Sequence, residues 1–230
     1  MVASAKPGKQ MSAEKPDANQ NRAGRLRVYG YAFDRAKRRC DFLKELYDSD
    51  HTNEALLLCL CYIDGLAYWG WGCGYTDSKR RFISVLVQHG GETALADISP
   101  SWLLRALGHL KSFKALAPKI EPLLSGVEGR LRSRDEIIDL LRPSITAEEL
   151  ESLSRELWRG SLAAIAYEEL RSWLVHGLFA PDGVIFEARD APGEARSLDF
   201  HMLHGCLERI LPEARRRFLA RDGEEEEHHA

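Results

Sequence analysis

The sequence predicts an all-α fold, a bundle of five to six helices with a short β-hairpin near the C-terminal end. Three observations carry this. Residues 53–69 (NEALLLCLCYIDGLAYW) are apolar on nearly every face, as expected of a central helix buried by its neighbours. Helix start signals recur downstream, at Ser99-Pro100 and at Thr146 with Glu149 three residues on. Strand-like composition is confined to 183–188 (GVIFEA) and 196–202, which flank the turn-like DAPGE.

Residues 1–24 contain no aromatic residue and show no apolar periodicity that could bury a face, so a disordered basic lead-in is expected there. The first helix read from periodicity is the 53–69 run, with Asn53 as its N-cap and the Gly-aromatic stretch WGWGCGY (69–75) as its end. Next, SKRRFISVLVQHGG (78–91) brings Phe82, Val85 and Leu86 to one face and stops at Gly90-Gly91. SPSWLLRALGHLKSF (99–113) opens with a cap followed by proline at the first helical position. A shorter charged segment fills 130–142, ahead of Pro143. The Thr146/Glu149 capping box launches a helix to about Trp158, and Gly160-Ser161 kinks or restarts it so that SLAAIAYEELRSWLVHGLF runs on to Phe179. A closing helix over about 203–220 precedes an acidic tail at 221–230. One helical domain over 26–220 is therefore expected.

Composition narrows the function classes. With 230 residues, 44% hydrophobic and 29% charged, the chain is large enough to bury a core without disulfides or metal. No apolar run reaches transmembrane length, and the start MVASAKPGKQ lacks the apolar stretch of a signal peptide, so a cytoplasmic protein with no membrane partner is expected. Of the five cysteines, Cys59 and Cys61 lie inside the apolar run and are expected to be reduced core residues. The net charge of −3 argues against a protein that coats nucleic acid, but it is a cancellation: residues 1–40 carry +7 and residues 41–230 carry −10. The basic arm at the start is where attraction to phosphates would come from.

No P-loop, dinucleotide-binding glycine pattern, HExxH or nucleophile elbow is present. His201 and His204 have a spacing a metal site can use, yet no acid or cysteine cluster accompanies them in sequence, and no metal or other cofactor is expected. What remains is YEELRSWLVHGLF, which places Arg171 and His176 on one helix with four residues between them and Ser172 beside the arginine. Arg followed by His after four to six residues occurs three times, about what 23 Arg and 8 His give by chance, so context has to choose among them. On an ideal helix, at about 100° per residue, Tyr167, Leu170, Leu174 and Leu178 form the core stripe. Val175, Phe179 and Ser172 form a second strip facing away from it, bordered by Arg171 and His176. An outward apolar strip calls for a partner. The rise between the two polar residues keeps one helix from aiming both at one atom. A twofold dimer would meet both conditions.

At these residues the sequence resembles a known family. LRSWLVHG (170–177) looks like the signature of HEPN domains, helical dimers with an Arg-polar-x-x-x-His type motif near the start of a late helix. The apolar helix ending in CYIDGLAYW, followed by SKRRFISVLVQHGG, is similar to the early helices of bacterial HEPN-like proteins, so the resemblance covers about residues 50–180. It implies a metal-independent ribonuclease, of the kind that acts as a toxin or in phage defence, with RNA as substrate and an antitoxin or effector protein as a further partner. Other members are non-catalytic modules that bind a nucleotide or a protein, and this is the alternative reading. Ser172 stands where active members commonly carry Asn or Asp.

The residue types suit that chemistry. His176, with a reference pKa near 6.5, is expected to take the proton from an RNA 2′-OH as general base. Arg171, always charged and fork-shaped, is expected to stabilise charge growing on the phosphate oxygens. Attack by the 2′ oxygen leaves a 2′,3′-cyclic phosphate. Ser172 would orient the phosphate or His176. Asp64, an acid in the middle of the apolar run, would hold the Arg or the His, as an acidic residue of the early helices does in the family.

Overall fold

The structure is a computed structural model and describes residues 18–72, 77–171, 174, 183–189 and 195–224. It is mostly helical with one two-stranded antiparallel sheet. In chain order the described elements are α1 (Ala18–Asp48), α2 (Thr52–Trp71), α3 (Ser78–His89), α4 (Pro100–Gly108), α5 (Ala117–Ser125), α6 (Arg134–Leu141), α7 (Ala147–Ser154), α8 (Leu162–Ile165), β1 (Gly183–Glu187), β2 (Ala195–Asp199) and α9 (Phe200–Glu224). Nine α-helices among the described residues exceed the five to six expected. The excess is α1, where no helix is expected, together with α5 and α6, because prolines and capping residues cut the chain between residues 100 and 154 into four short helices.

Two hydrophobic clusters result. The first wraps α2 with α1, α3, α8 and α9 and includes Leu43, Leu60, Ile63, Phe82, Leu86, Phe200 and Leu207. Gly70 of α2 is what lets α9 come close, since a Cβ there would lie 3.0 Å from the Ala214 Cα. The second cluster gathers Leu103, Leu107, Ile120, Leu124, Ile137, Leu141 and Leu153 from α4 to α7. The two are stitched at the backbone. The Ile98 and Arg132 amides exchange bonds of 2.7 and 2.9 Å with each other's carbonyls, and the Ser99 amide donates to the Gly160 carbonyl at 2.9 Å. The Leu131 amide donates to the Glu187 carbonyl at 3.1 Å, which ties the hairpin to the same joint.

Local signals explain most boundaries. Thr146 and Glu149 form the expected capping box, and Ser133 with Glu136 forms a second one that starts α6 inside the segment read only as charged. Gly91, at φ +76°, supplies the left-handed residue after α3. Ser161 restarts the chain as the N-cap of α8, its Oγ accepting from the Ala164 amide at 3.2 Å. The hairpin pairs Gly183 with Asp199 through Glu187 with Ala195.

Other expectations are corrected. Asn53 sits within the first turn of α2, which starts at Thr52 after the N-cap residue His51. Helix α4 ends at Gly108 rather than continuing to Phe113, where a 3₁₀ turn stands instead. Helix α1 begins at Ala18, so residues 18–24 of the expected lead-in are helical, and α9 extends into the expected tail as far as Glu224. Cys59 is buried but Cys61 is exposed. Two residues apart on a helix is about 200° around it, so the two thiols cannot share one core.

Candidate functional site

Helix α8 is short because the chain changes pitch after it. Ala166–Leu170 form a π-helical turn, closed by the Arg171 amide donating to the Ala166 carbonyl five residues back. This wider turn spreads three consecutive polar side chains over the neighbouring helices. Tyr167 packs its ring on Phe82 of α3 at 5.2 Å, Glu168 pairs with Lys79, and the largely buried Glu169 reaches Arg105 of α4 at 3.4 Å. Arg171 leaves the turn toward α2.

There it meets Asp64. The Arg171 Nη2 lies 3.1 Å from the Asp64 Oδ2, and the guanidinium carbon stands 4.8 Å from the centre of the Tyr167 ring. A carboxylate from one side and an aromatic face from the other hold the arginine, while its side chain keeps 30% of its surface exposed. The Asp64 Oδ1 is buried and finds no hydrogen-bond partner among the described residues. The structure thus brings together Arg171 and Asp64, two of the four residues expected at the site. Ser172 and His176 lie outside the described residues. Leu170 and Leu174 are buried, as the core stripe requires, and Leu178 lies outside the description.

Sequence reasoning placed Tyr167 on the core stripe but missed it as the platform under Arg171. The signal was present in the i, i+4 spacing of an aromatic and a cation. Also missed was a cationic cluster beside the site, where Lys79, Arg80 and Arg159 stand 5.1, 5.4 and 4.7 Å from the Trp158 ring centre. Burial and the neighbouring Arg159 push the Lys79 ammonium down to about 8.

The remaining candidates resolve as structure. The Trp71 ring is buried between His89, at 4.7 Å, and the Arg217 guanidinium, at 5.0 Å, so this end of the Gly-aromatic stretch anchors the core; Cys73–Thr76 lie outside the described residues. His204 is buried with Nε2 2.9 Å from the Cys40 carbonyl, whereas His201 is exposed and packs edge-on against Tyr47 at 4.8 Å. Both rings also lie against Phe200, His201 at 5.8 Å and His204 at 5.2 Å. Among the described residues no group of three His, Cys, Asp or Glu could hold a metal ion. No helix among them is long and apolar enough to cross a membrane.

Comparison of the chain with protein-family models, with curated proteins and with solved structures gives no significant match.

Proposed function

We propose that the chain is a HEPN-like endoribonuclease that works without metal, with a composite site built from Arg171 and His176 of two copies, acting on single-stranded RNA or tRNA loops in the cytoplasm in a toxin or phage-defence role. The observation that carries this reading is the pre-oriented arginine. Arg171 is fixed by Asp64 at 3.1 Å and by the Tyr167 face, yet remains partly exposed. A fixed cation costs little reorganisation when charge grows on a phosphate, and this is the main source of catalytic electrostatics. His176 is the base in this scheme and Ser172 the residue that orients it or the phosphate. Asp64 is a positioning residue, since it acts through Arg171.

The experiment is cleavage of single-stranded RNA and of tRNA by the purified chain in EDTA. The expected products end in a 2′,3′-cyclic phosphate. Arg171→Ala and His176→Ala each lower the rate by about 10² or more. Asp64→Asn is expected to lower kcat with little change in KM, because it loosens the arginine without removing it. Should the parent cleave no RNA, the non-catalytic reading holds instead, with a nucleotide or a protein as ligand; it is favoured by the match between the Arg171 charge and Asp64, which ties the chain after the π turn to α2 without any chemistry.

A further inference from the structure

Between α1 and α2 lies an open groove of about 390 Å³. Its floor is apolar at Ala36 and Leu66, and its walls carry Arg35 and Arg39 of α1 with Tyr62 and Trp69 of α2. Two properties set these walls apart. The arginines have no acid to answer them: among the described residues neither Arg35 nor Arg39 pairs with a carboxylate, and Arg39 is instead aimed by donating to the Tyr62 hydroxyl at 3.0 Å. Asp34, next to Arg35 in sequence, is engaged by Arg215 of α9 at 3.2 Å. Most arginines in the rest of the described body do have acidic partners, as Arg105, Arg171 and Arg209 show. The second property is exposed aromatic surface. Trp69 keeps 38% of its surface open while Phe33 braces its ring edge-on at 5.5 Å, and Tyr31, about one turn before Arg35, is 60% exposed.

Cations without acids, interleaved with aromatic faces, suit a single-stranded nucleic acid, whose phosphates need charge and whose bases need platforms. We propose that the α1–α2 groove is a subsite for the RNA strand outside the Arg171 centre, with a base stacked on Trp69 and the adjoining phosphates on Arg35 and Arg39. The two arginines stand four residues apart, about 6 Å along the helix, a step that one nucleotide of an extended strand spans. Gly65 lies at the groove without a side chain, and a Cβ there would meet nothing within 4 Å. The packing of the chain gives no reason for a glycine at this position; a base lying flat against α2 does.

The wider charge distribution favours the same occupant. Residues 18–40 hold seven Lys/Arg against one acid, and α1 carries that charge to the groove, whereas residues 41–230 are net −10. A polyanion is therefore drawn to α1 and repelled by the body as a whole. An acidic peptide would answer the arginines but leave the rings unused. The groove also connects to the candidate site. At about 100° per residue, the exposed Gly65, Cys61 and Tyr68 lie between Trp69 and Asp64 around α2, so a strand seated on Arg35 and Arg39 reaches Arg171 across one open face. That the strand is RNA rests on the nuclease reading above; the charge and the rings of the groove do not.

The probe is a fluorescent 2′-O-methyl oligouridine of about 12 nucleotides, which has no 2′-OH and so stays uncut, titrated with the full chain in EDTA and read by anisotropy. Arg35→Ala with Arg39→Ala is expected to weaken binding by about tenfold or more, and to reduce the slope of log affinity against log salt by about 1.4, the share of two phosphates on a single strand. Trp69→Leu is expected to weaken it by about fivefold or more, and Gly65→Trp, which fills the groove, to do the same. Unchanged circular dichroism checks folding, and both arginines are exposed, so their loss leaves the core intact. Arg142→Ala with Arg155→Ala, which removes two exposed arginines beside the second core, is expected to change neither affinity nor slope. The proposal is overturned if the oligonucleotide does not bind, if the control pair weakens it as much as the groove pair, or if oligoglutamate or uridine monophosphate competes as well as the strand itself. It also fails if Gly65→Trp lowers the mass seen by light scattering and spares the oligonucleotide, because the face then belongs to a second copy. Failure of the nuclease reading looks different: the oligonucleotide binds through Arg35 and Arg39, and unmodified RNA stays intact. RNA cleavage with binding indifferent to both arginines would sink the groove and leave the nuclease standing.

Discussion

The core around α2 draws Leu60, Phe82 and Phe200 from helices of 12 to 25 residues, whereas the core beneath α4 to α7 is assembled from helices of eight or nine. Isolated helices that short are marginal in water, because nucleation costs more than a few backbone bonds return. The second core compensates at its helix ends. Both of the reciprocal capping boxes found in the described residues belong to it. The first core instead relies on close packing, as at Gly70 against Ala214, and it can therefore leave one face of α2 open. The difference teaches that the α4 to α7 unit is completed within one chain, while the α2 unit has a surface left over, and that surface borders the candidate site.

The contrast can be broken hardest from the first core. Leu60→Ala empties a fully buried position on the hub helix and is expected to cost about 2–5 kcal/mol, read as a lower urea midpoint for the whole chain. The joint comes next. A Cβ on Gly160 would lie 2.7 Å from the Leu103 Cβ and 3.0 Å from its Cα, so Gly160→Val is expected to cost about 1–3 kcal/mol. In calorimetry it should divide one thermal transition into two as the cores uncouple. Ser133→Ala and Thr146→Ala are each expected to cost about 1 kcal/mol, with faster amide exchange confined to residues 98–157.

Acid sharpens the comparison with the smallest effect. The Ser133 amide holds the Glu136 carboxyl below its usual value of 4.5, and Lys119 followed by the Thr146 amide does the same for Glu149. A carboxyl whose pKa is lower in the folded state adds stability that is present above pH 4.5 and lost as pH falls through the folded value. Amides of α6 and α7 should therefore lose protection below pH 4.5 before those of α2 do. In Glu136→Gln, which removes the titrating carboxyl, the pH dependence at α6 should flatten. Equal loss of protection in both cores would show that the caps do not set the difference.

Much of this was legible in the residues, and the gaps have physical causes. The apolar run of α2, the Thr146/Glu149 box, the stop after α3 and the hairpin around DAPGE were read because each rests on a strong local rule. Helix α1 was not read as a helix, since its core contacts come from Phe33, Ala36, Cys40 and Leu43, a sparse seam diluted by charged residues between them. The Ser133/Glu136 box has the same pattern as its twin, but the charges around it drew attention away from the cap. At the site, Asp64 was expected to hold either the Arg or the His, and the structure places it against Arg171. The Tyr167 platform was not anticipated: its i, i+4 spacing to Arg171 was there to read, but the ring was assigned to the core stripe, within a π turn that a uniform 100° per residue does not foresee.

That turn makes the site depend on chain length more than on side-chain identity. The π turn holds one more residue than an α turn would, and everything after it is rotated by about 100° as a result. Substitutions along 166–170 that keep the turn leave Arg171 aimed at Asp64. Removing any one of those five residues would restore the ordinary pitch and swing the arginine away from its carboxylate. In a lineage, this site could be gained or lost by a three-nucleotide insertion or deletion, with every one of its polar residues unchanged.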